Sequence, residues 1–511
     1  MASMGILIAI IVYLVMMVYV GFYFSKGEDK KDSTDHFYLG GRQLGPFVTA
    51  MSAEASDMSS WLLMGLPGVA YLTGISDAGW TAIGLAVGTY LNWLIVAKRI
   101  RRYSIVCDAI TIPDFFSKRY HDDRHMLSLA AALVIIFFFI PYTASGFNAC
   151  GTLFSSLFRT DYLTAMLISA GVIVAYTALG GFLAASVTDL VQSIIMTLAL
   201  IIVVVFGIHN AGGWNAVVEN ARSIPGYLNL TEGFDVASGK AGSYGFLTIL
   251  STLAWGLGYF GMPHVLLRFM AIEKPEKLRI SRRVASAWVV ISMAMAVLIG
   301  VIGNAMIASG SLAAIAPKDS QRIIIQIAEK ISTYGALPAL IAGLIFAGIL
   351  AATMSTADSQ LLAASSSVTQ DILGSVLNRK LSAKKSVLAA RSVVILIAVI
   401  AAYWAREEGS VFTIVSFAWA GFGAAFGPAV LLALFWKNSN KWGALAGMIT
   451  GGAVVFLWKY AVRPLGGVWD IYELLPAFAA SVLMNILISR ITGKPSVEEQ
   501  QEFESVCTAK Q

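Results

Sequence analysis

The sequence predicts an all-α integral membrane protein of about 13 transmembrane helices, with two inverted five-helix repeats set between one extra N-terminal helix and two extra C-terminal helices. Three observations carry this. Of the 511 residues, 57% are hydrophobic and 13% charged, with a mean hydropathy of +0.74; a soluble domain carries roughly 25% charged residues. Apolar stretches long enough to cross a bilayer recur along the whole chain. Two of those stretches are interrupted alike by small polar residues, glycine and proline.

A window of about 20 apolar residues crosses the hydrocarbon, which places spans at 6–24, 47–72, 80–97, 127–157, 163–179, 188–206, 246–269, 284–307, 336–369, 387–405, 411–435, 442–462 and 471–491. The first has no basic region before it and no small-residue cleavage site, so it reads as a span rather than a signal peptide. The second contains Ser52-Ala53-Glu54-Ala55-Ser56-Asp57-Met58-Ser59-Ser60-Trp61 and closes with Gly65-Leu66-Pro67-Gly68. In the fourth, Tyr142 follows Pro141, whose kink is expected to turn the phenol inward. The sixth starts at Thr188-Asp189, where an acid in the first turn suits the helix dipole. Trp255-Gly256-Leu257-Gly258-Tyr259-Phe260-Gly261-Met262-Pro263-His264 interrupts the seventh. His264 is expected to pack rather than carry protons. Beyond the last span, the acidic stretch from Glu498 to Glu504 reads as solvated tail.

Irregular backbone survives at membrane depth only where it lines a cavity, because free N–H and C=O groups are costly in hydrocarbon. A pair of interrupted spans in separate halves of the chain therefore points to a transporter's binding site. The pair lies five spans apart, and an odd offset means opposite directions through the membrane. The repeats are accordingly expected at 46–208 and 244–435, with the extra helix at 6–24, the C-terminal helices at 442–491 and a cytoplasmic tail at 492–511, all in one membrane domain, 1–511. Basic residues crowd alternate loops: Lys98, Arg99, Arg101, Arg102, Lys118, Arg119 and Arg124 in one, then Lys274, Lys277, Arg279, Arg282 and Arg283, then Lys437 and Lys441. The positive-inside rule then puts the N-terminus outside and the C-terminus in the cytoplasm.

Net charge is +6 without a basic block, which argues against nucleic acid, and three cysteines without paired spacing argue against a disulfide or a zinc site. No nucleophile elbow, phosphate loop or histidine–carboxylate cluster points to an enzyme. The ninth span holds Ala352, Ser355 and Thr356 at i, i+3 and i+4, one helix face. Two hydroxyls and the carbonyl beside a small residue, facing carbonyls of the unwound turn from Ala55 to Met58, make five mostly uncharged oxygens. Such a set suits sodium; calcium or magnesium asks for more carboxylates. The plainer reading is that both hydroxyls bond back to their own helix.

Blocks along the chain closely resemble the sodium:solute symporters, and within them the proline branch. They are Leu39-Gly40-Gly41-Arg42-Gln43-Leu44-Gly45-Pro46, the stretch from Ala55 to Gly68, Gly180-Gly181-Phe182-Leu183-Ala184, Trp255 to Gly261, Met354-Ser355-Thr356, Ala418-Trp419-Ala420-Gly421-Phe422-Gly423-Ala424-Ala425-Phe426-Gly427-Pro428 and Gly443-Ala444-Leu445-Ala446-Gly447-Met448. The likeness runs in order from Phe37 to Trp458. Glu54 and Ser60 depart from it, since glycines are usual there in the proline branch, and Ser60 would narrow a pocket.

The resemblance implies a leucine-transporter-like fold and sodium-coupled uptake of L-proline across the cell inner (plasma) membrane by alternating access, with another amino acid, betaine or pantothenate as the alternative solute. Sodium, proline and membrane lipid are the implied partners, with no obligate protein partner. Sodium would be held by the carbonyls of Ala55, Met58 and Ala352 and the hydroxyls of Ser355 and Thr356. Asp57 would be essential for coupling; a cap of the unwound turn is its plainer role. Glu54 is expected to snorkel through the break. Ser59, Ser60 and Trp61 would meet the solute carboxylate at a helix N-terminus, and Tyr142, Trp255, Tyr259 and Pro263 would wall in the ring. Arg42 would serve a cytoplasmic gate, and Asp189 a second sodium site or exit path.

Overall fold

The computed structural model describes residues 4–28, 38–179, 181–379 and 383–508. Phe37, Gly180 and the last three residues of the tail lie outside the described residues. The chain is a bundle of helices with one small hairpin, β1 (Glu232–Asp235) paired antiparallel to β2 (Lys240–Ser243).

The first helix, α1 (Met4–Glu28), turns many large apolar side chains outward, as a lipid-facing span does. The second span is broken. Helix α2 (Pro46–Asp57) starts with proline at its first turn and stops at Met58, whose φ of −82° and ψ of 75° leave the helical region. Ser59 and Ser60 lead into a wide turn, Trp61–Gly65, and helix resumes as α3 (Leu66–Thr73). A long helix follows as α4 (Ile75–Leu91), a π turn at Asn92–Val96 and α5 (Ala97–Val106). Next come α6 (Met126–Phe158), α7 (Tyr162–Leu179) and α8 (Phe182–Asn210).

The second interrupted span is also broken. Helix α9 (Phe246–Leu253) tightens into a 3-10 stretch, Ala254–Gly261, and α10 (Pro263–Ala271) leaves at 46° to it. Glycine is needed here because α14 (Val411–Phe435) lies so close: a Cβ on Gly258 would meet the Trp419 indole at 1.9 Å. The remaining long helices are α11 (Leu278–Ala308), α12 (Ala336–Ser366), α13 (Ala383–Trp404), α15 (Lys441–Leu457) and α16 (Leu474–Ile491).

Among the described residues, ten helices are long and apolar enough to cross a membrane, or eleven with the bent pair counted as one. The expected 13 is thus not reached by length and composition. The two remaining stretches are shorter apolar helices, Trp61–Thr73 and Tyr162–Ala175, one of them cut short by the break at Met58. The protein is an integral membrane protein.

The two broken spans run in opposite directions. Where α2 begins, Leu44 pairs with the end of α10: its N–H donates to Ala271 O at 3.1 Å and its carbonyl accepts from Glu273 N at 3.0 Å. At the other end, where α3 stops and α9 starts, Tyr244 donates to Asp77 at 3.0 Å and Tyr227 donates to the Tyr71 carbonyl at 2.8 Å. Helix α12 is buried for most of its length among α1, α6 and α8, and its inner face meets the break in α2.

Candidate functional site

The break in α2 is the centre of the site. Ser355 donates its hydroxyl to the Ala55 carbonyl at 2.7 Å and Thr356 approaches the same oxygen at 3.4 Å. Both hydroxyls also reach the Ala352 carbonyl of their own helix, at 3.2 and 3.1 Å. Four of the five expected cation ligands therefore meet, across 300 residues of chain, in a buried spot. Each hydroxyl bonds back to α12, the plainer reading, and also crosses to α2. Met58 stands at the break itself, with its N–H returned to Glu54 O at 2.8 Å and its thioether accepting from Ser292.

Asp57 is the last residue of α2 and caps nothing with its side chain. Its Oδ2 accepts the Tyr259 hydroxyl at 2.7 Å, and among the described residues its Oδ1 has no partner. Its carbonyl accepts the Trp61 indole N–H at 3.1 Å and the Tyr142 hydroxyl at 3.0 Å. The kink residue Pro141 lies inside α6, and the following phenol does turn inward. Thus Asp57 gathers three of the expected pocket aromatics and ties one broken helix to the other.

Trp255 packs in a cluster of rings with Trp61, Phe412, Trp419 and Tyr472, at centroid distances of 6.2, 5.1, 6.2 and 5.1 Å. Trp419 donates its indole N–H to the Trp255 carbonyl at 2.8 Å and stands edge-on to Tyr259. The Trp61 N–H donates to the Ser59 hydroxyl at 3.4 Å, while among the described residues the Ser60 hydroxyl is buried without a partner. Pro263 opens α10, eight residues past Trp255.

Two expectations need correction. Helix α8 starts at Phe182, so Asp189 sits in its second turn or beyond and is no first-turn dipole partner. It pairs instead with Arg268 at 3.2 Å, both fully buried, and accepts the Ser52 hydroxyl at 2.6 Å. Arg268 further donates to Ser52, to Ser359 and to the His264 carbonyl, at 3.0, 2.6 and 3.1 Å. Four helices, α2, α8, α10 and α12, are joined by this one cluster. Glu54 does not snorkel: it is buried, and its Oε1 accepts the Trp93 indole N–H at 2.8 Å. His264 is buried against Phe139, in keeping with a packing role.

Arg42 stitches the end of the bundle nearest the start of α2. It donates to Ser104 Oγ, the Met270 carbonyl, the Ser104 carbonyl and the Ala109 carbonyl at 2.9, 3.1, 3.2 and 2.6 Å. Arg268, Ser52, Ser359, Asn92 and Trp93 were missed by reading spans alone. The available signal was that each polar one lies within an apolar stretch, where such residues mark function or pairing.

A family model described as the sodium:solute symporter family matches residues 37–451. The osmoregulated proline transporter OpuE of Bacillus subtilis (strain 168) is 42% identical over 505 residues, 98% of each chain. The high-affinity proline transporter PutP of the same organism is 43% identical over 491 residues, 95% of this chain and 98% of that one. Among solved structures, the substrate-bound outward-open state of a Na+-coupled sialic acid symporter superposes with a TM-score of 0.78 at 17% identity, covering 97% of this chain and 99% of that one. MhsT in complex with L-phenylalanine follows at a TM-score of 0.54 and 12% identity, covering 87% and 98%. At such identities these two structures show a shared fold.

Proposed function

This chain belongs to the sodium:solute symporter family, and from that premise we propose that it takes up L-proline together with sodium by alternating access. The observation that carries the reading is the double use of one helix break. On one side, Ala55 meets the hydroxyls of α12; on the other, Asp57 meets the pocket aromatics. An ion held at the first side fixes the backbone that shapes the second.

In this reading sodium is bound by the carbonyls of Ala55, Met58 and Ala352 with Ser355 and Thr356. The hydroxyls that now donate to Ala55 turn their lone pairs to the ion. Proline's carboxylate meets Ser59, Ser60 and the N–H groups where helix resumes at Trp61, the positive end of a helix dipole. Tyr142, Trp255, Tyr259 and Pro263 enclose the ring, and the three aromatic ones attract its ammonium through their π faces. Asp57 couples the two events because Tyr259 answers to its charge. The ring lid around Trp255 and the Arg42 stitch close the two ends of the path, and Arg268 with Asp189 lies between the pocket and the stitch. Each sodium entering down the membrane potential contributes about 2.3 kcal/mol per 100 mV.

The architecture that goes with this function has 13 spans, with inverted repeats at 46–208 and 244–435 flanked by helices at 6–24 and 442–491. Opposite directions of the two broken spans support it. The N-terminus faces outward and the tail, 492–511, lies in the cytoplasm beneath the inner (plasma) membrane, in keeping with the crowded basic loops.

Proteoliposomes with an inward sodium gradient should accumulate proline above its external level and lose that accumulation when a sodium ionophore is added. Uptake at full rate without sodium overturns the coupling. Ser355→Ala and Thr356→Val should each raise the half-activating sodium concentration about tenfold, since a ligand oxygen contributes roughly 1.5 kcal/mol. Sodium titrations at saturating proline decide it: a purely structural hydroxyl leaves that concentration unmoved.

A further inference from the structure

On the outside of the bundle, α4 and α11 leave a trough between them. It is lined by Gly79, Ala82 and Ala86 of one helix and by Ala294, Val297 and Val301 of the other, and holds about 620 Å3. Small residues on facing helices keep the space from closing, so packing there falls short of a filled interior. Its rims, Val87 and Val290, are exposed. The short helix Trp214–Ser223 bounds the outer end, where Asn220 donates to Asn304 at 2.9 Å.

The other end is cationic. Arg279, Arg282 and Arg283 stand in the first two turns of α11. From Arg279, the positions of Arg283, Ser286, Val290, Ala294 and Val297 recur every three or four residues, one continuous helix face. The Arg282 guanidinium lies over the ring of Tyr90, near the end of α4, at 5.4 Å from its centroid. Among the described residues, none of the three arginines belongs to an ion pair. The buried Ser286 hydroxyl, one turn above Arg282, likewise has no partner among them. From Arg283 to Met293, which also lines the trough, the helix rises about 15 Å. That is half of a hydrocarbon core of roughly 30 Å, the depth of one leaflet.

Three candidate occupants differ in what they satisfy. A free phosphate answers the arginines, whose planar forks match phosphate oxygens, but leaves the trough empty. A zwitterionic lipid fills the trough and brings no net charge. An anionic phospholipid does both, and basic clusters beside membrane helices favour such headgroups. The helix dipole at the start of α11 adds to the attraction.

We propose that α4 and α11 bind one anionic phospholipid, with an acyl chain in the trough and its phosphate on Arg279, Arg282 and Arg283. Its place in the cytoplasmic leaflet rests on the topology proposed above. The two helices also back the two broken spans. A Cβ on Gly88 of α4 would sit 2.2 Å from the Gly256 carbonyl, and one on Gly300 of α11 2.4 Å from the Pro67 carbonyl. A seated lipid therefore holds a helix behind each break.

The test is native mass spectrometry of the delipidated, full-length protein in detergent, given phosphatidylglycerol, phosphatidylcholine or inorganic phosphate, without sodium or solute. The wild type is expected to hold one phosphatidylglycerol per chain at about a tenth of the concentration that phosphatidylcholine needs, and no phosphate. The combined Arg279→Gln, Arg282→Gln and Arg283→Gln variant should bind both lipids equally weakly. Ala294→Phe fills the trough from an exposed position, keeps all three arginines, and should weaken phosphatidylglycerol about tenfold. Phosphatidylglycerol should raise the unfolding temperature of the wild type and leave that of both variants unmoved, since a ligand stabilises only the state that binds it. Equal retention of the two lipids by the wild type overturns the proposal. So does an Ala294→Phe variant that holds phosphatidylglycerol as well as the wild type, which would leave attraction by charge alone. Phosphate bound as tightly as the lipid overturns it in favour of a free-anion site. Each result is read apart from sodium coupling, which can fail without touching it.

Discussion

Asp57→Asn should lower sodium-coupled proline uptake by about a hundredfold or more while the protein reaches the membrane in normal amounts. Asparagine preserves the size of the side chain and an oxygen that can accept the Tyr259 hydroxyl, so packing between the two broken helices is retained. What it removes is a negative charge at the carbonyl end of a helix, buried and not otherwise paired. Losing a buried charge interaction of about 3 kcal/mol corresponds to roughly two orders of magnitude in apparent affinity. A residue that merely caps the unwound turn predicts the reverse, because asparagine caps about as well as aspartate. Uptake of labelled proline at saturating sodium, normalised to protein in the membrane, separates the two. Near wild-type rates would reject the coupling role. Tyr259→Phe is the milder companion: it deletes only the hydroxyl that Asp57 holds.

The second large effect belongs to stability. Arg268→Leu should destabilise the folded protein by roughly 3–5 kcal/mol, the usual result of leaving one partner of a buried ion pair alone. In this cluster the loss also frees Ser52 and Ser359 from their shared donor. Asp189→Leu should be comparably harmful, since it takes the hydrogen-bonded carboxylate away from a buried guanidinium stacked over Phe182 at 4.9 Å. The double variant, apolar at both positions, should regain much of the loss, because an apolar pair of similar volume avoids the desolvation of both ions. Thermal unfolding of the three purified variants in one detergent reads this out. Single variants as stable as the wild type, or a double variant no better than the worse single one, reject a paired structural role.

Residues far apart in the chain explain why part of the site could be foreseen and part could not. The cation-ligand set was legible because Ala352, Ser355 and Thr356 repeat at helical spacing and the turn at Ala55 to Met58 is visibly broken. Asp189 was placed wrongly because Ser186 and Thr188 look like the polar start of a span. In the folded helix their hydroxyls return to the Phe182 and Ala184 carbonyls, at 2.8 and 3.1 Å, so helix runs through them from Phe182 onward. Glu54 was expected to seek water because an isolated acid in an apolar run usually does. A tryptophan 39 positions later, Trp93, holds it inside.

By itself the sequence determined what depends on composition and local pattern. Apolar length sets where helices cross, glycine and proline set where two of them must break, and the spacing of hydroxyls sets which helix face carries oxygen. Motif order added the family. Tertiary structure alone decided the partners: Asp189 with Arg268, Glu54 with Trp93, Tyr142 and Tyr259 with Asp57. Hydropathy and periodicity describe each helix against an average surrounding. They do not say which neighbour its polar face meets, and at membrane depth that neighbour decides whether a buried charge is paired, bridged or left to bind an ion.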